Sequence, residues 1–242
     1  MKPKIGILYA PGTNCHEESA FAVELAGGEA ETVLLSDLDR GRAGLGRLQG
    51  LILPGGFSFG DHISAGRILA VHLLARLADA LRDFLAASKP ILGVCNGDQV
   101  LMETGLLPAG SPGARGAALT WNRSARFEGR WVELSAAEAG FWTEGMAGRT
   151  LRLPSAHGEG RLVLAPGAAA RPAFHYVDAS GRPTEQYPEN PSGSPGGVAG
   201  VTDPSGLVLG LMPHPERAVL PHHGSEDGLG LFRNLVGFLE AK

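Results

Sequence analysis

The sequence carries only two cysteines, Cys15 and Cys95, in 242 residues. That is too few for a disulfide scaffold and points to a reducing compartment, read as the cytoplasm. No apolar stretch reaches the roughly 20 residues that a membrane span needs. The N-terminus, Met1-Lys2-Pro3-Lys4-Ile5-Gly6-Ile7, is basic, but its apolar run is too short for a signal peptide. Net charge is small, −4, and the isoelectric point lies near 6.1. Neither nucleic acid nor an anionic membrane surface has an electrostatic footprint here. The phosphate-cradling P-loop pattern G-x-x-x-x-G-K-[ST] is missing. Internal repeats and interdomain linkers are missing too.

What is present is an ordinary soluble balance of 43% hydrophobic and 19% charged residues. The length suffices for a full core, and residues 1–242 are read as a single domain. Thirty-six glycines and 17 prolines suit many tight loops. Apolar runs at Ile5–Tyr9, Thr32–Leu35, Leu51–Leu53 and Pro90–Val94 read as strands. Between them, His16–Ala26 and Ile63–Leu85 have helical spacing, the second with a stripe at positions 69, 73, 77, 81 and 84. Strand, loop and helix in alternation predict an α/β fold: a doubly wound, mostly parallel sheet with helices on both faces. The second half predicts a small antiparallel extension from short runs at Arg126–Leu134, Leu151–Pro154, Arg161–Leu164 and Ala173–Val177. Residues 178–197 read as one long functional or mobile loop. Val198–Val201 and Leu207–Met212 return to strand around a Thr202–Gly206 turn, and Leu229–Leu239 closes the chain as a helix.

One stretch concentrates the chemistry. The run Pro90–Val94 ends in Gly93-Val94-Cys95-Asn96-Gly97, and helical spacing follows at Val100, Leu101 and Leu106. Glycines two before and two after a reactive residue, at a strand-to-helix turn, have the layout of a nucleophile elbow. A helix N-terminus beneath Cys95 favours its thiolate. The competing reading is a cysteine that packs as a small hydrophobe at a strand end. The elbow alone does not choose between them.

His214 and Glu216 weigh on that choice. They flank Pro215, which favours extended backbone, so both side chains should face one way. Glu216 then holds one imidazole nitrogen while the other faces a reacting group. With a thiol added, this is a triad arrangement. A solvated strand-end histidine is the bland alternative.

The segments Gly93–Gln99 and His214-Pro215-Glu216 resemble the class I, or triad, glutamine amidotransferases. More narrowly, Pro11–Cys15, Pro54–Asp61, Ala156–Gly160, Asn190–Ser194 and Met212–Arg217 resemble the family of glutaminase subunits of phosphoribosylformylglycinamidine synthase, of purine biosynthesis. The likeness spans nearly the whole chain. One departure is Asp98, where the family pattern has an aromatic residue, usually phenylalanine. An acid in a helix's first turn suits the dipole, but its charge would work against the Cys95 thiolate.

The resemblance implies a flavodoxin-like amidotransferase fold and a glutaminase reaction. Cys95 attacks the side-chain amide of L-glutamine, His214 moves the proton, and Glu216 orients His214. Backbone N–H groups of Gly56 and Asn96 hold the oxyanion, and Gln99 contacts glutamine. No cofactor or metal is expected in this chain. ATP and Mg belong to a large synthetase subunit, with a small accessory subunit as a further partner. Cys15 reads as structural or as lining the glutamine pocket. His157 reads either as a structural histidine or as an interface residue. Adjacent His222 and His223 are weak grounds for a metal. Gly55–Gly60 is the expected movable loop, with a peptide flip at Gly55-Gly56 aiming one N–H. Two alternatives from other classes are a non-catalytic glutamine-sensing domain and a cysteine hydrolase acting on peptides. The complete set of Cys95, His214 and Glu216 argues against the first.

Overall fold

A computed structural model describes residues 2–242. The first half alternates as expected: β1 (Lys4–Tyr9), α1 (His16–Leu25), β2 (Glu29–Leu34), a short α2 (Leu35–Asp39), β3 (Gly50–Leu53), α3 (Arg67–Ala86), β4 (Ile91–Val94) and α4 (Asn96–Thr104). The second half adds β5 (Ala117–Trp121), β6 (Glu128–Ala136), β7 (Thr150–His157), β8 (Glu159–Leu164), β9 (Arg171–Tyr176), β10 (Val198–Thr202), β11 (Val208–Leu211) and α5 (Leu229–Glu240). Nine strands form one sheet in the order β2-β1-β3-β4-β11-β10-β9-β6-β7. From β2 to β11 the neighbours are parallel, and from β11 to β7 they are antiparallel. β5 and β8 make a separate antiparallel pair. The predicted doubly wound sheet with an antiparallel extension is the fold observed.

Alternation along the strands divides the core between the two faces. Ile5, Ile7, Ile52, Leu92 and Val94 pack on one side with Phe232 and Leu235 of α5. Leu8, Leu51, Leu53 and Ile91 pack on the other with Leu69, Leu73, Leu81 and Phe84 of α3. The expected α3 stripe is therefore its buried face. The helix starts later than its periodicity suggests, because Gly66 turns left-handed (φ +73°) just before Arg67. The edge strand β2 is blunted by charge: Lys4 of β1 pairs with Glu29 at 2.9 Å.

Three expectations change. β5 was not legible as a strand, and β7 runs on to His157 instead of stopping at Pro154. The segment 178–197 has no α-helix or strand, yet its second half is pinned rather than free. Asn190 Oδ1 accepts from Ser192 Oγ (2.9 Å) and Gly193 N (2.8 Å), and its Nδ2 donates to Ser194 O (2.9 Å). Ser194 Oγ in turn bonds both Gly160 O (3.2 Å) and Leu162 N (3.1 Å) of β8. No helix among the described residues is long and apolar enough to cross a membrane.

Candidate active site

The carboxyl ends of the parallel strands meet on one edge, where doubly wound sheets bind ligands. β4 ends in Cys95, which takes φ 50° and ψ −104° and is buried. A non-glycine residue with positive φ is a strained elbow, held because its N–H bonds Leu211 O of the neighbouring strand at 2.8 Å. Close packing of α4 on the sheet requires a residue without Cβ at 97. A Cβ there would stand 1.8 Å from Leu53 O. Cys95 is the N-cap of α4, so the Asn96 N–H is one of the helix's unpaired donors.

β11 leads into His214, whose backbone N–H bonds Pro154 O of β7 at 2.8 Å. The imidazole Nδ1 donates to Glu216 Oε1 at 2.6 Å. Both side chains are fully buried. Nε2 is buried too and has no hydrogen-bond partner. Burial alone would lower the His214 pKa; the Glu216 carboxylate and the nearby Cys95 sulfur outweigh it and hold it well above its ordinary value. The route differs from the extended segment expected. His214 is extended, but Pro215–Arg217 is a single 3₁₀ turn, and the turn folds Glu216 back under the ring.

Cys15 lies beside the ring, its Sγ 4.0 Å from Nδ1. Arg217 Nη2 donates to this sulfur at 3.0 Å, and the thiol donates to Asn14 Oδ1 at 3.0 Å. Burial raises the Cys15 thiol, which sets it apart from a reactive thiolate. Cys15, His214 and Glu216 offer ligand atoms within 4.8 Å of one another, but the Nδ1 hydrogen bond and the Arg217 charge already occupy them. His222 and His223 only stack edge to face, 4.7 Å apart.

The loop after β3 forms the opposite wall. Gly56 has φ +143°, open to glycine alone. Asn14 N and Cys15 N both donate to Gly55 O (3.3 and 3.2 Å), and Phe57 N donates to Gly12 O (2.9 Å). In this pairing the Gly56 N–H is left out of the ladder. The two bonds on Gly55 O oppose the expected peptide flip, at roughly 1 kcal/mol each. Asn96 locks the same loop: its Oδ1 accepts from Ser58 N (3.1 Å), and its Nδ2 donates to Asp61 Oδ1 (3.1 Å) and Gln99 Oε1 (3.0 Å). Gln99 Nε2 reaches Glu159 O at 2.6 Å.

Between these walls lies a cavity of about 230 Å³ that Cys95, Gly56 and Gln99 line. Asp61 and Glu159 line it as well. Both lie in family-like motifs, Pro54–Asp61 and Ala156–Gly160, but their position in those motifs carries no signal of a role. Burial raises both carboxyls. His157 also borders the cavity, clamped by Asn122: its Nδ1 donates to Asn122 Oδ1 at 3.0 Å, and Asn122 Nδ2 donates to His157 O at 2.7 Å. Burial, then the His214 charge, lower its pKa to about 3, so it is neutral.

Known proteins share the sequence and fold of this chain over nearly its whole length. Residues 2–238 match the CobB/CobQ-like glutamine amidotransferase domain. Phosphoribosylformylglycinamidine synthase subunit PurQ of Dehalococcoides mccartyi is 39% identical over 249 residues, covering 97% of each chain. The chain belongs to the PurQ family of glutamine amidotransferases. PurQ of Pyrococcus horikoshii is 38% identical, over 98% of this chain and 99% of its own. A solved structure of PurLQS from Thermotoga maritima superposes with a TM-score of 0.83 at 34% identity, covering 99% of this chain. Family membership gives the chain glutamine amidotransferase activity, for which the cavity beside Cys95 is the candidate site.

Proposed function

We propose that this chain, as one amidotransferase domain, is the glutaminase subunit of a phosphoribosylformylglycinamidine synthase in cytoplasmic purine biosynthesis. One observation carries the site assignment. His214 has Nδ1 fixed by Glu216 and Nε2 buried without a partner, beside the sulfur of a strained Cys95. Cys95 attacks the side-chain amide carbon of glutamine. His214 takes the thiol proton and passes it to the leaving ammonia, while Glu216 keeps the proton on Nδ1 and supports the imidazolium. Water then hydrolyses the glutamyl thioester to glutamate and restores the thiol.

The N–H groups of Gly56 and Asn96 are the oxyanion donors. Both are free of backbone ladders, which supports that role. Gln99, fixed at both ends of its amide, shapes the cavity floor for glutamine. Asp61 and Glu159 give the pocket negative charge suited to the α-ammonium group.

Ammonia passes to a large synthetase subunit, which holds ATP and Mg²⁺; a small accessory subunit completes the complex. The family members' names, subunit PurQ and PurLQS, support an assembly of this kind. Three aromatic side chains that line the cavity mouth support a docking face there: Phe57, Trp121 and Phe127 are 51%, 63% and 58% exposed. Ammonia release from glutamine, measured with and without the synthetase subunit, its nucleotide and its substrate, tests this reading. Coupled release and product formation is the expected result. A chain that hydrolyses peptides, or that binds glutamine without hydrolysing it, would overturn it.

A further inference from the structure

Asp98 stands in the first turn of α4, three residues beyond Cys95, and is 1% exposed. Its Oδ1 has no hydrogen-bond partner. The carboxyl presses directly on β11: a Cβ at Gly210 would lie 2.0 Å from Oδ1, so only glycine leaves it room. Beside it is a void of about 10 Å³ walled by apolar groups, among them Met102, Leu119, Leu162, Val201 and Met212. That is at the lower limit for one water, and Asp98 is the one polar side chain in the wall. The titratable neighbours are Cys95, at the start of the same helix, and Tyr176 of β9. Burial holds the Tyr176 phenol well above its ordinary value, so it stays neutral. No cation from β5, β8, β10 or β11 lines this pocket among the described residues.

We infer that Asp98 is a positioning residue for the nucleophile: its carboxyl seats the first turn of α4 against β11 only while it carries a proton. A carboxylate in a dry pocket without a counter-charge is costly, and a neutral acid is the form that fits. Burial raises its pKa well above the ordinary carboxylate range. A neutral Asp98 also leaves the helix's positive end for Cys95 and the oxyanion. Loss of the proton to solvent drives the carboxylate toward water. The Cys95–Asp98 turn is the element that must move to let it out, and with it go the nucleophile and the Asn96 N–H.

The inference rests on Cys95 as the nucleophile, and its test separates the two. Carbon-13 labelling of aspartate carboxyls in the wild-type chain reads the protonation of Asp98, assigned by its loss in Asp98→Asn. Glutamine hydrolysis at saturating substrate is followed from pH 6 to 10 in complex with the synthetase subunit. Asp98 is expected to be neutral at pH 7, because burial disfavours its charged form, and to lose its proton on the alkaline side of the scan. The rate should fall about tenfold per pH unit above that titration in wild type. Asp98→Asn and Asp98→Leu should each lack this alkaline limb. If Asp98→Asn fails to fold, Asp98→Leu and the wild-type spectrum decide. A carboxylate at pH 7, a wild-type profile flat to pH 10, or the same limb in the variants overturns the inference. Hydrolysis retained by Cys95→Ala would instead remove the nucleophile, and the Asp98 spectrum does not depend on that outcome.

Discussion

Gly97 lies so close to Leu53 that a Cβ on it would fall 1.8 Å from the Leu53 carbonyl oxygen. The obstacle is backbone of β3, which has no rotamer to yield. Gly97→Ala should therefore push α4 off the sheet and carry Cys95 with it. A destabilisation of about 1–3 kcal/mol is expected, with most glutaminase activity lost. Urea unfolding and ammonia release measure the two effects. Unchanged stability would mean that α4 has slack that the packing does not display.

Glu216 holds His214 Nδ1 at 2.6 Å. Glu216→Gln replaces an acceptor with an amide that can offer the wrong group to Nδ1, and it removes the support of the imidazolium. The turnover rate should fall by up to about 10⁴-fold, with His214→Ala costing at least as much. The measurement is kcat for glutamine hydrolysis in each variant. An unchanged kcat in Glu216→Gln would take the carboxylate out of the mechanism.

His157 gives the fold an acid limit. Burial, then the His214 charge, depress its pKa from 6.5 to about 3. A depressed histidine leaves the unfolded chain with more bound protons as acid is added. Its contribution to stability is complete above pH 6.5 and is lost as pH falls toward 3. The slope is about 1.4 kcal/mol per pH unit. The unfolding free energy from urea titrations should fall more steeply with acid in wild type than in His157→Gln, the difference approaching this slope. Equal slopes would place the acid sensitivity elsewhere.

The exposed rim should matter to the partner more than to the chemistry. Phe127 is 58% exposed at the cavity mouth. Phe127→Glu is expected to weaken binding of the synthetase subunit by at least about fivefold, or 1 kcal/mol. Isothermal titration of wild type and variant with that subunit reads it. Equal affinities would move the docking face away from this rim.

The parallel half of the sheet and α3 were legible because buried strands and amphipathic helices leave period and hydrophobicity in the sequence. Cys95 was legible through Gly93 and Gly97, which the packing of α4 requires. β5 was not. Ala117-Ala118-Leu119-Thr120-Trp121 follows a run rich in glycine and proline and has weak alternation, and its pairing with β8 is long-range. The loop at 178–197 was legible as irregular but not as anchored. Its fixity comes from Asn190 and Ser194 bonding backbone, which composition does not reveal. Asp61 and Glu159 were hidden for a related reason: only the fold turns the loop after β3 and the start of β8 toward one cavity. For Asp98 the helix position was readable, but its depth was not, and depth decides whether it carries charge.

The most direct test of the proposed site is Cys95→Ala, assayed with the synthetase subunit present. Ammonia release and product formation are measured first with glutamine and then with an ammonium salt as nitrogen source. The variant should fold, bind the partner and lose glutamine hydrolysis, while the ammonium salt still supports product formation near the wild-type rate. Glutamine hydrolysis retained in Cys95→Ala would contradict the proposal, and Cys15, 4.0 Å from His214 Nδ1, would become the thiol to examine next.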